Sequence, residues 1–566
     1  MYDLLIKNGR VVDGTGMPSY HADVGIAGGL IADIGRLDGP ARRTIDADGR
    51  AVAPGFIDNH CHFDAQVTWD PVCSFSPHHG VTTVIFGNCS LSLAPVREDD
   101  HKALAMMLSR VEAIPMESLE AGIDWSWTSF GDYLDRLDRK LGVNAGALVG
   151  HSAVRRYVMG DESQERELAT PAELEAMKDL VRDAIRAGAL GLSLDRNRGH
   201  LDLDGRPIPG IVAPVEELYE LATALRAAPA GVIQCGSAYP LEIRDGFATR
   251  LSQASGRPVV YNQIVFNPAE PDRWKQHLAL VEQRIGEGIQ VYPVVNPRPQ
   301  ATRFTMMNAQ IFDRLPTWQR VMLGSADEKK AAFRDAETRR ALHAEAIDGK
   351  DIPVDALPIR WERIVVAKPL LDENAHLRGK TVAAIAEEQG KDVLDAFLDL
   401  VLEEDLLTRF TSAQSGGDDD VMRTLLASPH TIIGLSDAGA HVVFEAGYGY
   451  ATLVLGRWVR EEGVLSLEEA VRKLTFMQAS IFGIHDRGLL RPGMAADVVV
   501  FDPDTVAALE PDETHDLPGG LMRLRQLATG VDFTIVNGQV LIEAGEHTGA
   551  YPGRVVRSRA SAGVPA

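Results

Sequence analysis

The first sign of chemistry stands at the end of one short apolar run. Ala51 to Ile57 predicts a strand, and it leads into Asp58-Asn59-His60-Cys61-His62. Side chains alternate across a strand, so His60 and His62 share a face and Cys61 turns away. Two imidazoles side by side at a strand end can chelate one divalent metal, and nitrogen donors suit zinc. A lone His-x-His is a weak sign, because paired surface or core-lining histidines give the same pattern. A second run, Val81 to Phe86, ends in Gly87-Asn88-Cys89. Its Val/Thr/Ile content, bounded by glycines, fits a strand buried on both faces.

The elements that must position these residues alternate between strand-like and helical runs. After the first two strands come Ala145–Val149, Gly188–Leu194, Gly231–Gln234, Pro258–Tyr261, Ile289–Val295 and Thr431–Leu435. Helical stretches lie between them; Pro171–Ala187, for example, has Thr170 as N-cap, proline at its first position and Gly188 as its stop. Eight strand–helix units predict an α/β protein with a TIM-type (β/α)8 barrel, whose active site lies at the C-terminal strand ends. His60, His62, Cys89, His151 and Asp437 all fall on that rim.

Residues 1–53 and 489–566 read instead as short strands joined by Asn-Gly and Gly-Gly turns. They predict one composite β-sandwich built from both termini, flanking a barrel over residues 54–488. The gap from Pro297 to His430 is too long for a loop. Helical runs at Asp327–Ile347 and Lys391–Glu404 and an apolar run at Ile364–Ala367 predict an inserted subdomain before the eighth strand, assigned to 298–390, in the position of a lid.

A chain of 566 residues, 45% hydrophobic, has ample core for this architecture. A net charge of −23 argues against nucleic acid or an anionic membrane as partner and leaves a small-molecule substrate. Four cysteines over this length make no disulfide framework, and the N-terminus enters a strand pattern without a signal-peptide core. A cytoplasmic location is expected; the oligomeric state is open, a homo-oligomer included.

Three segments resemble one family. Pro54-Gly55-Phe56-Ile57-Asp58 closing in His-x-His is similar to the first barrel strand of the amidohydrolase superfamily. Thr82–Pro95 (TTVIFGNCSLSLAP) and Gly545–Arg557 (GEHTGAYPGRVVR) resemble the D-aminoacylases, the N-acyl-D-amino-acid deacylases. The resemblance implies that Cys89 is a metal ligand, and that Asp437, in Gly434-Leu435-Ser436-Asp437-Ala438-Gly439-Ala440-His441, touches metal and shuttles a proton. His151, in Val149-Gly150-His151-Ser152-Ala153-Val154-Arg155, matches a family stretch and either polarises the substrate carbonyl or supports the site from behind. His441 is expected to support the rim, and His78, His79 and His200 to lie in loops.

The family's fifth and sixth strands end in histidines that complete a two-metal site. Here those ends read Gln234-Cys235-Gly236 and Tyr261-Asn262-Gln263, and Ile264-Val265 replace the lysine that usually follows. One metal position therefore keeps its ligands, His60, His62, Cys89 and Asp437, while the other keeps only Cys89. The expectation is a metal-dependent hydrolase of an amide-type C–N bond, with one zinc ion per chain supplying hydroxide and Asp437 moving the proton. Arg298 and Arg303, just after the seventh strand, are candidates to grip a substrate carboxylate. The alternatives are a cyclic-amide or lactone hydrolase, other metal-polarised carbonyl chemistry, or a non-catalytic scaffold.

Overall fold

The structure, a computed structural model, describes residues 1–228, 230–267, 270–298, 302–350, 359–412 and 418–558. Parts of the expected 298–390 insertion lie outside the described residues. The chain divides into two compact units. The first takes residues 1–197, 208–298 and 418–566; the second takes 198–207 and 299–417. The second unit thus ends later than the expected 390 and also recruits a short segment from after the fourth barrel strand.

The barrel strands are β1 (Phe56–Asp58), β2 (Val81–Phe86), β3 (Asn144–Gly150), β4 (Gly191–Asp195), β5 (Val232–Gly236), β6 (Val259–Tyr261), β7 (Val291–Val295) and β8 (Ile432–Ile433). They form a parallel sheet in sequential order from β1 to β8. The period-two alternation expected of a buried strand is visible in its packing. Ile57, Ile85, Leu148, Val232, Val260, Val294 and Ile432, with Leu190 just before β4, make one apolar layer closed by Met477, Ile481, Phe482 and Ile484. The intervening residues, such as Val84, Leu192, Ile233, Tyr261 and Ile433, join a separate cluster with the surrounding helices.

β1 and β8 are joined at the seam by side chains. Asn59 donates from Nδ2 to the Ile433 carbonyl (3.3 Å) and to Gln478 Oε1 (2.7 Å), and its Oδ1 accepts from the Leu435 amide (3.4 Å). Two-residue β8 is too short to close the circle by backbone ladder alone, so Asn59 and Gln478 bridge the strands and backbone bonds take over just beyond them.

The expected strand Ala51–Ile57 is two strands. Ala51–Pro54 belongs to a nine-stranded sheet of both termini, where it pairs antiparallel with Val498–Phe501, and β1 begins only at Phe56. The hinge is Gly55, where a Cβ would stand 2.2 Å from Thr82. Within that sheet the two Asn-Gly pairs do different work. Asn537-Gly538 makes a two-residue hairpin turn between Val531–Val536 and Gln539–Glu543, both residues at positive φ. Asn8-Gly9, expected as a turn, lies inside one strand, Tyr2–Val11, as a bulge in its pairing with Tyr20–Ala27. Asn8 takes a φ of 56° there, and its amide donates to Asp23 Oδ1 (2.9 Å), which stabilises the bulge locally.

The second unit has its own core. Phe304, Phe312, Trp318, Phe397 and Phe410 are buried together around a three-stranded antiparallel sheet of Thr302–Phe304, Arg409–Ser412 and Ile364–Lys368. The expected helix over 327–347 is two helices, Ala326–Arg334 and Ala336–Ala346, because the Asp335 side chain caps the second. No helix among the described residues is long and apolar enough to cross a membrane.

Candidate metal centre

The segments that follow β1 and β8 run beside each other. The His62 amide donates to the Ala438 carbonyl (2.7 Å) and the Asp437 amide to the His60 carbonyl (3.2 Å). This pairing holds His60 and His62 toward Asp437 while Cys61 packs into the helix-side core; Ile57, of the same parity as Cys61, lies in the inner layer, so the alternation of β1 shifts by one residue between them. Ser436 reinforces it, its Oγ donating to buried Asp58 Oδ2 (2.5 Å). After β2 the chain turns inward at Gly87, whose φ is 85° and where a Cβ would lie 2.2 Å from the Leu148 carbonyl oxygen. The turn delivers Cys89, itself at a φ of 53°, to the same place, and Asp437 also adopts a left-handed conformation, φ 51°. Left-handed backbone at non-glycine residues costs energy and concentrates at functional sites.

The donor atoms converge. Ligand atoms of His60, His62 and Cys89 all lie within 4.8 Å of one another. His60 Nε2 stands 3.6 Å from Cys89 Sγ and 3.4 Å from Asp437 Oδ1, and His62 Nε2 stands 3.7 Å from the same oxygen. Tetrahedral coordination with metal–ligand bonds of about 2.0–2.3 Å separates its ligands by roughly 3.3–3.8 Å. The residues present therefore fit a divalent site built on His60, His62 and Cys89, with Asp437 close to both imidazoles. Both histidine side chains are at most 2% exposed, whereas Asp437 is 25% exposed.

Electrostatics agree with that fit. Burial lowers His60 to about 3, which keeps it neutral as a ligand must be. The Cys89 thiol is pushed well up by burial and by the carboxylates of Asp195, Glu112 and Asp437. Glu112 is likewise raised by burial, then by Asp437, Asp64 and Asp195. Acidic groups gathered in a buried place repel one another, and a divalent cation reverses that penalty.

Two groups behind the ligands are all but hidden in the sequence. Glu112 ends a helix, His101–Glu112, and places Oε1 3.2 Å from His62 Nδ1 and Oε2 3.9 Å from His441 Nε2. Gln234, on the inward face of β5, donates from Nε2 to His60 Nδ1 (3.2 Å) and accepts the Cys89 amide at Oε1 (3.2 Å). Outer partners of this kind orient metal ligands. The only sign available was the parity of β5, which sets Gln234 inward and Cys235 outward; for Glu112, a helix C-terminus far along the chain, there was none.

Other candidates fall elsewhere. Cys235 packs in the helix-side core, away from the converging donors. His151 starts a helix, His151–Met159, and is wholly buried; its Nε2 bonds Glu217 Oε1 (2.8 Å), which also lies 3.3 Å from Arg155 Nε. Arg298 departs from the expected substrate grip: it pairs with Glu445 (3.1 Å) and donates to the Ser436 carbonyl (2.9 Å). A guanidinium so engaged secures the chain after β8. Arg303 belongs to the second unit, opposite Thr411 in its sheet. His79, expected in a loop, is buried in a short 3-10 helix, Ser76–His79, and contacts Thr452 Oγ1 (2.8 Å).

Comparison with known proteins agrees with this geometry. The chain is 30% identical to a D-aminoacylase of Alcaligenes xylosoxydans xylosoxydans over 580 residues, 99% of this chain and 98% of the relative. The structure of an N-acyl-D-glutamate deacylase from Bordetella bronchiseptica, complexed with zinc and a phosphonate inhibitor, superposes with a TM-score of 0.69 at 27% identity, covering 98% of this chain and 100% of that one. A D-aminoacylase structure concerned with a binuclear metal centre, one-metal activation and second-metal attenuation gives 0.68 at 29% identity, over 98% and 99%. The model of the amidohydrolase family matches residues 43–542. With its barrel rim, its converging donors and these full-length similarities, the chain belongs to the amidohydrolase family.

Proposed function

We propose that the chain is a metal-dependent hydrolase of N-acyl-D-amino acids or close amide analogues, with His60, His62, Cys89 and Asp437 holding one divalent ion, zinc by preference. The observation that carries this reading is the convergence of two imidazoles and a thiol, with the partly exposed carboxylate of Asp437 3.4 and 3.7 Å from the imidazoles. A bound divalent ion supplies Lewis acidity and lowers the pKa of its water toward ~7. Asp437, the one partly exposed residue of the four, takes the proton of the attacking water and hands it to the departing nitrogen. Glu112 and Gln234 hold the imidazole planes of His62 and His60. His151, bound to Glu217, acts from behind the site rather than on the substrate. The substrate class follows the relatives, which are named for D-amino-acid deacylation.

The test is a screen of paired N-acyl-D- and N-acyl-L-amino acids, hydantoins and lactones with zinc-loaded protein. Turnover of the D-acyl series, abolished by a chelator and restored by zinc, is the expected result. Turnover confined to hydantoins or lactones would replace this reading with cyclic-amide or lactone hydrolysis.

A further inference from the structure

The two histidines of the site are held differently. His62 presents Nδ1 to a carboxyl oxygen of Glu112 at 3.2 Å. His60 presents Nδ1 to the amide of Gln234, and the orientation of that amide is fixed by its neighbours. The Cys89 amide is an obligate donor, so the Gln234 atom 3.2 Å from it must be the oxygen. Ser193 Oγ, which accepts from the Ser90 amide (2.7 Å), donates to the same Gln234 oxygen (3.4 Å). The NH2 group is left to face His60 Nδ1, at 3.2 Å. A donor facing Nδ1 makes that nitrogen an acceptor and places the imidazole proton on Nε2. Nε2 is the atom that faces Cys89 and Asp437.

We propose that Gln234 is a positioning residue that holds His60 in the Nε2-protonated tautomer and thereby weakens it as a metal ligand relative to His62. Ligation through Nε2 requires that proton to move to Nδ1, and the Gln234 amide then to turn its oxygen to Nδ1–H and give up the Cys89 amide. The cost falls on every binding event and sets the affinity of the centre. A carboxylate at position 234 would accept from both the Cys89 amide and His60 Nδ1–H, and the conflict would vanish. This inference rests on the metal reading above, but its first test does not.

In full-length protein treated with chelator, long-range 15N–1H spectra of labelled histidine, assigned with His60→Gln, report the tautomer directly. His60 should carry its proton on Nε2; a proton on Nδ1 would overturn the proposal whatever the protein binds. The second measurement is zinc affinity by chelator competition, with zinc content per chain. Gln234→Glu should bind zinc about 10–100-fold more tightly at unchanged stoichiometry, the usual range for an outer partner of a ligating histidine. Unchanged or weaker affinity, or a second zinc ion held by the new carboxylate, would contradict it. If Gln234→Glu fails to fold, Gln234→Met, which removes the opposing donor, should leave His60 a mixture of tautomers; a pure Nε2–H form there would likewise overturn the assignment. If no protein binds zinc, the functional reading falls while the tautomer still decides this one.

Discussion

At the scale of single residues, the four donors do not share one role. His60, His62 and Cys89 are buried, while Asp437 meets solvent and is the one positioned to exchange a proton with a substrate. Asp437→Asn should keep the fold and most of the metal affinity, since three donors remain. Its kcat should fall by about 10²–10⁴-fold, the usual worth of a general acid–base group, and excess zinc should not restore it. His60→Ala differs, because its loss should be partly rescued by added zinc; near-normal kcat in Asp437→Asn with metal bound would remove the proposed proton route. Arg298 makes the opposite case. Paired with Glu445 and the Ser436 carbonyl, it should act on the site only through the chain after β8. Arg298→Ala is then expected to raise KM equally for a carboxylated substrate and its neutral amide analogue, and a selective rise for the carboxylated one would return it to substrate binding. The sequence made His60 and His62 legible by their parity at a strand end and Cys89 and Asp437 by resemblance. It hid Glu112 and Gln234, whose roles depend on which nitrogen of a distant histidine they face.

At the scale of elements, the barrel was legible because each strand is an apolar run with a polar residue just past its end. The boundaries were less so where a single residue redirects the chain. Gly55 splits one apolar run into two strands of different sheets because a side chain there would collide with Thr82. Asn8-Gly9 and Asn537-Gly538 are the same dipeptide, yet one bulges a strand and the other turns a hairpin. The difference lies in partners such as Asp23, which no local pattern reveals. The seam between β1 and β8 is the element on which the site depends most. Asn59→Ala would leave the Leu435 amide and Gln478 Oε1 without their Asn59 partner, while Gln478 still donates to the Ile433 carbonyl, at a cost of about 1–3 kcal/mol per unsatisfied buried group. It should lower the melting temperature and weaken zinc binding together, because Asp437 is carried on the same segment. A loss of stability with unchanged zinc affinity would show that the seam and the site are independent.

At the scale of the whole molecule, buried titrating groups couple stability to pH in both directions. His79 and His277 are buried and lowered by burial to about 3, so below about 6.5 the unfolded chain binds protons that the folded one refuses. Their stabilisation is complete above pH 6.5 and is lost as pH falls toward 3. Asp58 and Asp64, raised by burial to about 7, act in the opposite sense over part of that range, so the net slope is not diagnostic. The difference from His277→Gln is. Glutamine can keep a hydrogen bond to the Tyr261 hydroxyl, which lies 2.7 Å from His277 Nε2, and it has no proton to gain. Between pH 6.5 and 5 the native protein should lose about 2 kcal/mol relative to that variant in urea unfolding, and parallel curves would mean that His277 is not held neutral. The two-unit division, with an aromatic core separate from that of the barrel, was legible as a gap too long for a loop that carries helical and apolar runs of its own. Its 198–207 segment follows β4 and carries no pattern of its own. The central claim is a single metal position made of two imidazoles, a thiolate and Asp437, and it is tested most directly by counting metal. Elemental analysis of the full-length protein after exhaustive zinc loading and gel filtration should give one zinc ion per chain, falling toward zero in the double variant His60→Ala/His62→Ala. Two ions per chain, or one ion retained when both histidines are gone, would contradict it.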